Sequence, residues 1–357
     1  MLVLSVNLLH PGARDTEAGK PDIHGAEPPR FSAVDYRQSR FPKPAGQPLI
    51  GVNYTHYEIE NCTLYKTDII GYYDEPGVAR EVHTQLFRMR KAGVATIRTV
   101  IWHETSAARE FWGPVPSEGG RLYEPDRSNL IHFLTEIKRF GFARLTIVFS
   151  PQGRNNPLRP EYEPSKFREN WRFIRTVRSL VKRYGPRRTR FDLMSEGAPS
   201  ETPSDWSPVP RQTGRYLAAM YRRYVSHYGN RDVTISSIAS EPNTWADRLR
   251  NLVRILKSTG EPMPRWYDVH VPYSPAGASQ SLQQVNLVLD QEGQSQPLVV
   301  GETAYDSRGH ASVIKRFLST TSRPIEEVST WYQRTSKGCP IAPPYTPGAY
   351  ATALGHG

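Results

Sequence analysis

From about Gln47 onward the chain alternates between two kinds of hydrophobic pattern. Short apolar, β-rich runs recur at Pro48–Asn53, Val94–Ile101, Ala143–Phe149, Arg190–Met194, Asp232–Ile238, Tyr267–Val271, Leu298–Gly301 and Val328–Trp331. Their length and composition fit strands with little exposed surface. Between them, apolar residues fall at i, i+3, i+4 and i+7, the period of an amphipathic helix. These stretches are Val78–Lys91, Leu130 to Ile137, Phe167 to Val181, Tyr216 to Val225, Trp245 to Leu256, Leu282–Leu289 and Val313–Leu318. Strands alternating with helices in this way predict parallel βα units that close into a (β/α)8 TIM barrel over residues 48–335. A doubly wound open sheet would alternate too, but no glycine-rich phosphate loop follows the first strand. No 3.6-residue period follows Trp331, so the eighth helix is expected to be irregular or missing, with an irregular C-terminal tail over 336–357. Residues 1–47, rich in Pro, Gly and charge, read as an extended N-terminal arm or linker.

Composition narrows the class without naming the chemistry. At 357 residues, 38% hydrophobic and 23% charged, the chain reads as soluble and globular, long enough for one large core. A net charge of +11 raises the question of a polyanionic partner. The arginines are spread over most predicted helices, among them Arg88, Arg90, Arg172, Arg175, Arg178, Arg222, Arg223, Arg248 and Arg250. That is the pattern of a solvated outer layer, and the run Lys182–Arg190 sits in a helix-to-strand connection. Nucleic acid is therefore not expected, whereas an acidic polysaccharide or exopolysaccharide remains open. Two cysteines, Cys62 and Cys339, rule out a disulfide framework or a Cys-rich metal site. No apolar run reaches the length of a membrane span. Met1–Leu9 is apolar but short and lacks a basic start, so it is at most a remnant of a signal peptide. Asn53-Tyr-Thr and Asn61-Cys-Thr match the glycosylation pattern.

In a (β/α)8 barrel the active site forms where the strands end, so the residues just past each run are the ones to inspect. Glu196 follows Phe191-Asp-Leu-Met-Ser and Glu302 follows Leu298-Val-Val-Gly. They end the fourth and seventh strands, which face each other across the barrel mouth. Glycoside cleavage needs such a pair, one carboxyl protonated to release the leaving oxygen and one ionised to attack carbon or activate water. Other chemistries are poorly served: there is no His-Glu-x-x-His, no Gly-x-Ser-x-Gly and no phosphate loop. Asp205, His227 and Ser236–Ser237 can be combined into a triad only on paper. Glu241, in Ser240-Glu-Pro-Asn243, takes the place of a catalytic acid if the strand count slips by one.

At these residues the chain resembles the clan A glycoside hydrolases, cellulase-like families 5 and 39 above all. Asp192-Leu-Met-Ser-Glu196 is similar to their strand-four motif and Val299-Val-Gly-Glu302 to their strand-seven motif. Gly51-Val-Asn-Tyr54, Arg98 in Ile97-Arg-Thr-Val, His270, Tyr273 and Trp331 agree in order and spacing over roughly 48–334. The resemblance implies a retaining hydrolase of a β-linked oligo- or polysaccharide, with Glu196 as acid/base and Glu302 as nucleophile. It further implies that Arg98 orients the nucleophile, that His270 or Tyr273 bonds it or the sugar, and that Trp331 and Trp102 stack on a pyranose. No cofactor and no metal are implied, and a secreted or periplasmic location is expected. One position departs from the family: Ser195 stands where an Asn usually precedes the acid/base and binds the sugar. A serine keeps one hydrogen bond but loses the amide's reach, so a carbohydrate-binding pseudoenzyme is the first alternative, and a polyanion-binding protein that uses the +11 charge is the second.

Overall fold

A computed structural model describes residues 46–55, 68–75, 77–106, 114–205, 207–238, 245–304, 307–331 and 348–355. All lie in one compact unit, Val34–Gly357. The arm expected over 1–47 falls outside them up to residue 45, as do Asn61, Cys62, Glu241, Cys339 and the start of the expected tail.

The parallel strands are β1 (Leu49–Asn53), β2 (Thr96–Glu104), β4 (Arg144–Pro151), β5 (Thr189–Asp192), β6 (Val233–Thr234), β7 (Ser236–Ile238), β8 (Tyr267–His270), β9 (Leu298–Thr303) and β10 (Ile325–Thr330), with a two-residue β3 (Val115–Pro116) beside β2. Their order is β6-β5-β4-β2-β1-β10-β9-β8-β7. The two ends of that sheet are one stretch of chain, interrupted only at Ile235. β6 pairs with β5 and β7 pairs with β8, so the run Asp232–Ile238 closes the sheet as the fifth of eight staves. The (β/α)8 barrel is therefore the fold.

Helices α2 (Val78–Lys91), α3 (Asp126–Arg139), α4 (Lys166–Tyr184), α5 (Pro210–Tyr228), α6 (Trp245–Lys257), α7 (Pro275–Gln291) and α8 (Arg308–Thr320) follow the predicted periods, and a four-residue α1 (Ile69–Tyr72) that no period announced precedes them. Local chemistry starts several of them. Ser274 and Ser307 cap α7 and α8 by accepting from Gly277 and His310 N–H groups, and Pro275 opens α7 where no donor is needed. Their apolar stripes bury Leu86, Met89, Phe133, Ile137, Val177 and Leu217 against the outward side chains of the strands, such as Ile97, Ile147 and Phe191. After β10 the helix expected to be irregular or missing is a single six-residue turn, α9 (Gly348–Ala353), inside the expected tail. Tyr350 anchors it, fully buried, with its hydroxyl donating to Ala304 O at 3.0 Å. No helix among the described residues is long and apolar enough to cross a membrane.

The barrel interior departs from the usual filling of branched apolar residues. Period-two alternation along the strands puts Arg98, Arg190, Asp192, Asp268 and Glu327 inside, each no more than 2% exposed. Arg190 and Arg144 both donate to Glu327 Oε2, at 2.8 and 3.1 Å. This ionic layer lies toward the start of the strands. A second one, around Arg98, supports the barrel mouth.

Candidate active site

β9 carries Glu302 and β2 carries Arg98, which is 1% exposed. Arg98 Nη1 donates to Glu302 Oε1 at 2.7 Å and to Asn53 Oδ1 at 2.8 Å. Trp331, the first residue after β10, donates its indole N–H to Glu302 Oε2 at 2.7 Å. Both carboxylate oxygens thus accept from donors, one buried and one half-buried, that favour the ionised form. Burial alone would raise the Glu302 carboxyl. His270, Arg98 and the two hydrogen bonds outweigh it and hold Glu302 below the usual carboxylate range.

Glu196 sits in the turn after β5 with φ of 51°, among the described residues the sole non-glycine in the left-handed region. Such strain costs roughly 1–3 kcal/mol and persists where the surroundings impose it. Here the Glu196 N–H donates to Ser236 Oγ at 2.8 Å. Asp192 Oδ1 in turn accepts from the N–H groups of Ser236 (3.0 Å) and Met194 (3.2 Å). Gly197 completes the turn, since a Cβ there would lie 2.8 Å from Met194 Cγ. The bend points the Glu196 carboxylate at β8, where His270 Nδ1 lies 2.9 Å from Glu196 Oε1 and 3.5 Å from Glu302 Oε2.

His270 ties the two acids to Arg98. Arg98 Nη2 has only hydrogens to offer, so its 2.9 Å contact with His270 Nε2 requires the ring's lone pair at that nitrogen. The geometry therefore holds the neutral tautomer with the proton on Nδ1, donated to Glu196. Burial opposes protonation of the ring, but Glu302 and Glu196 outweigh it and raise His270 above its ordinary value. A protonated ring would have to turn Arg98 Nη2 away from Nε2.

One guanidinium faces three carboxylates in this layer: Glu302, Asp192 at 3.6 Å and Asp268 at 4.0 Å. Burial, then the neighbouring Asp268, push Asp192 up to about 7, so the cluster sheds excess charge by holding a proton. Asp268 fits because residue 301 is glycine, where a Cβ would lie 2.1 Å from Asp268 Oδ1.

One oxygen of each glutamate and a ring nitrogen of His270 all lie within 4.8 Å of one another, a set that has the composition of a divalent-cation site. Both Glu302 oxygens are already engaged by Arg98 and Trp331, and the guanidinium rests against the imidazole. A cation would have to displace those donors.

The two glutamates open onto a pocket of about 280 Å³ lined also by Trp102, Ser195 and Trp331. Arg98 and His270 lie directly beneath it. Tyr273 stands apart: it is 70% exposed and does not line the pocket, because the chain leaves the rim at Pro272, whose carbonyl is held by His310 Nε2 at 2.9 Å. Sequence reasoning missed Asp192, Asp268 and Ser236 as supports, although their alternation with apolar neighbours was visible. It also missed Gln152, Asn156 and Arg159, which line the pocket from the loop after β4, because loops carry no period. Ser236 is buried inside the barrel, whereas His227 is on the surface of α5 bonded to Arg223 O, so that paper triad is not assembled.

No protein-family model and no curated protein matches the sequence. Solved structures do. An endo-1,4-β-mannanase from Rhizomucor miehei is similar at 10% identity and TM-score 0.50, over 87% of this chain and 94% of that one. A glucosidase from Croceicoccus marinus is similar at 12% identity and TM-score 0.51, over 87% and 69%. A fungal β-1,4-galactanase structure is similar at 12% identity and TM-score 0.50, over 80% and 89%. At these identities the likeness speaks to fold, and chemistry has to be argued from the site. The chain shares its (β/α)8 barrel with these glycoside hydrolases.

Proposed function

We propose that the protein is a retaining glycoside hydrolase acting on a β-linked oligo- or polysaccharide by double displacement, with Glu302 as nucleophile and Glu196 as acid/base. The observation that carries this reading is the facing pair itself, with one oxygen of each carboxylate within 4.8 Å of the other. Retaining enzymes hold their carboxyls ~5–5.5 Å apart, whereas inverting ones need ~6.5–9.5 Å to admit a water between acid and sugar. The asymmetry of the surroundings supports the roles. Glu302, held ionised by Arg98 and Trp331, is suited to attack; Glu196 faces His270 Nδ1 rather than the guanidinium.

In the first step a Glu302 oxygen bonds to the anomeric carbon as the glycosidic C–O bond breaks. Glu196 gives its proton to the departing oxygen. In the second step Glu196, now a carboxylate, takes a proton from water. The water oxygen displaces Glu302 from the anomeric carbon, and both residues return to their starting states. His270, donating from Nδ1, keeps the Glu196 carboxylate turned toward the bond being cleaved. Trp102 and Trp331 supply aromatic faces for the sugar, and Ser195 offers one hydroxyl.

The test uses azide with single variants on a panel of β-glycans and aryl glycosides. Glu196→Ala should still be glycosylated by substrates with good leaving groups, and azide should then release a glycosyl azide of retained configuration. Glu302→Ala should lose turnover, and azide should yield at most an inverted product. Two variants behaving alike would overturn the role assignment, and full activity of Glu302→Ala would overturn the mechanism. A carbohydrate-binding protein without turnover would bind glycans with neither outcome.

A further inference from the structure

Away from the pocket, α4 carries Arg172, Arg175, Arg178, Lys182 and Arg183 on the face turned from the barrel. Arg121 and Arg127, from the loop before α3 and its first turn, stand opposite. Together these seven cations line one surface groove of about 950 Å³ with no carboxylate in its wall. All but Arg178 are exposed. At 1.5 Å per residue, Arg172 to Arg183 spans ~16 Å along the helix. Arg178 and Lys182 share Asp232, and Arg127 pairs with Glu124. Arg121, Arg172, Arg175 and Arg183 have no carboxylate partner among the described residues, so the groove keeps a strong positive field. Gly120 sets its shape: a Cβ there would lie 2.2 Å from Arg172 Cβ, so the loop approaches α4 as only glycine allows.

We propose that this groove is a docking site for an anionic polysaccharide, bearing carboxylate or sulfate groups, distinct from the two-glutamate pocket. Repeated guanidinium forks suit planar or tetrahedral oxyanions spaced along a chain, because each can accept two parallel hydrogen bonds. Single-stranded nucleic acid is the competing polyanion, and it needs open aromatic faces on which bases stack. The groove's one aromatic, Tyr228, has its ring covered by the Arg178 guanidinium at 3.7 Å. That leaves charge without a stacking platform, which fits a glycan.

The test measures binding of the full chain to polygalacturonate and to dextran sulfate, with neutral dextran and a 20-nucleotide DNA strand as comparisons, across a salt series. The groove variant is Arg172→Ser/Arg175→Ser/Arg183→Ser. The control removes equal charge elsewhere through the exposed residues Arg88→Ser/Lys315→Ser/Arg316→Ser. Thermal melts establish that both fold. The groove variant should lose about eightfold or more in affinity for the acidic glycan, three contacts each worth a factor of about two, while the control changes less than twofold. Preference for polygalacturonate or dextran sulfate identifies which oxyanion is read, and neutral dextran should not bind in the groove. Equal losses in both variants would overturn the proposal in favour of diffuse charge attraction. Tighter binding of the DNA strand, lost in the groove variant, would assign the groove to nucleic acid instead. Neither acidic glycan binding would also overturn it. None of these readouts depends on hydrolysis.

Discussion

Replacing Arg98 by Met tests the electrostatic layer beneath the pocket without requiring a known substrate. The guanidinium is 1% exposed, donates to Glu302 and Asn53, contacts His270 Nε2 and lies within 4.0 Å of Asp192 and Asp268. Met fills much of the same volume, so the loss is chiefly electrostatic. Removing one partner of a buried ion pair costs about 3–5 kcal/mol, because the remaining charge stays buried and uncompensated. At about 2 °C per kcal/mol, the melting temperature should fall by about 6–10 °C at pH 7.5. The deficit should depend on pH in a definite direction. In the native protein the Glu302 carboxyl is depressed, so its stabilising contribution is present above the unfolded value near 4.3 and fades as pH falls through the folded value. In the variant Glu302 loses its cation and its folded value rises above the unfolded one, while Asp192 and Asp268, already raised by burial in the native protein, rise further. A raised carboxyl contributes most below its unfolded value and loses that contribution as pH rises. Between pH 7.5 and 5 the native Glu302 contribution is constant, so the second effect alone narrows the gap between the two proteins as pH drops. Thermal melts at pH 5, 6 and 7.5 decide it. A deficit below about 2 °C, or one that is equal at every pH, would refute the reasoning.

Trp331→Phe removes one hydrogen bond to an ionised carboxylate, worth about 1.5–3 kcal/mol, so Glu302 should titrate about 1–2 pH units higher. The acid limb of the kcat/KM profile should move up accordingly, and an unmoved limb would detach Trp331 from the nucleophile. Glu196→Gln removes a carboxylate that raises His270, so the His270 pKa should fall in a nitrogen-detected NMR titration. The same spectra should show the lone pair at Nε2 in the neutral ring, and a proton there would contradict the contact with Arg98.

The strand and helix alternation was legible because each strand is a short apolar run and each helix carries one apolar stripe. Glu196 and Glu302 stood out for the same reason, as carboxylates directly after runs such as Leu298-Val-Val-Gly. The polar interior was harder to see. Arg190 and Asp192 flank Phe191, and Asp268 and His270 flank Val269, an alternation that carries the signal of one polar face. Within runs already taken as strands it was absorbed into the apolar pattern. Whether such a face turns inward depends on barrel closure, which no local window contains. The break of the fifth stave at Ile235 likewise follows from the need to pair with β5 on one side and β8 on the other. Tyr273 was placed by counting from the end of β8, and the count ends where Pro272 leads the chain out of the rim. The arginine groove shows the same limit: Arg172, Arg175 and Arg178 read as a solvated helix face, and only packing brings Arg121 and Arg127 opposite them.

The central claim is a covalent route through Glu302, and stereochemistry tests it most directly. Once the panel identifies a cleaved β-glycoside, proton NMR of the first-formed product, recorded before mutarotation, reports the configuration at the new reducing end. Double displacement by Glu302 and Glu196 predicts the β-anomer first, with the α-anomer growing in only as the sugar equilibrates. An α-anomer appearing first would contradict it, because water would then have attacked directly from the face opposite the leaving group.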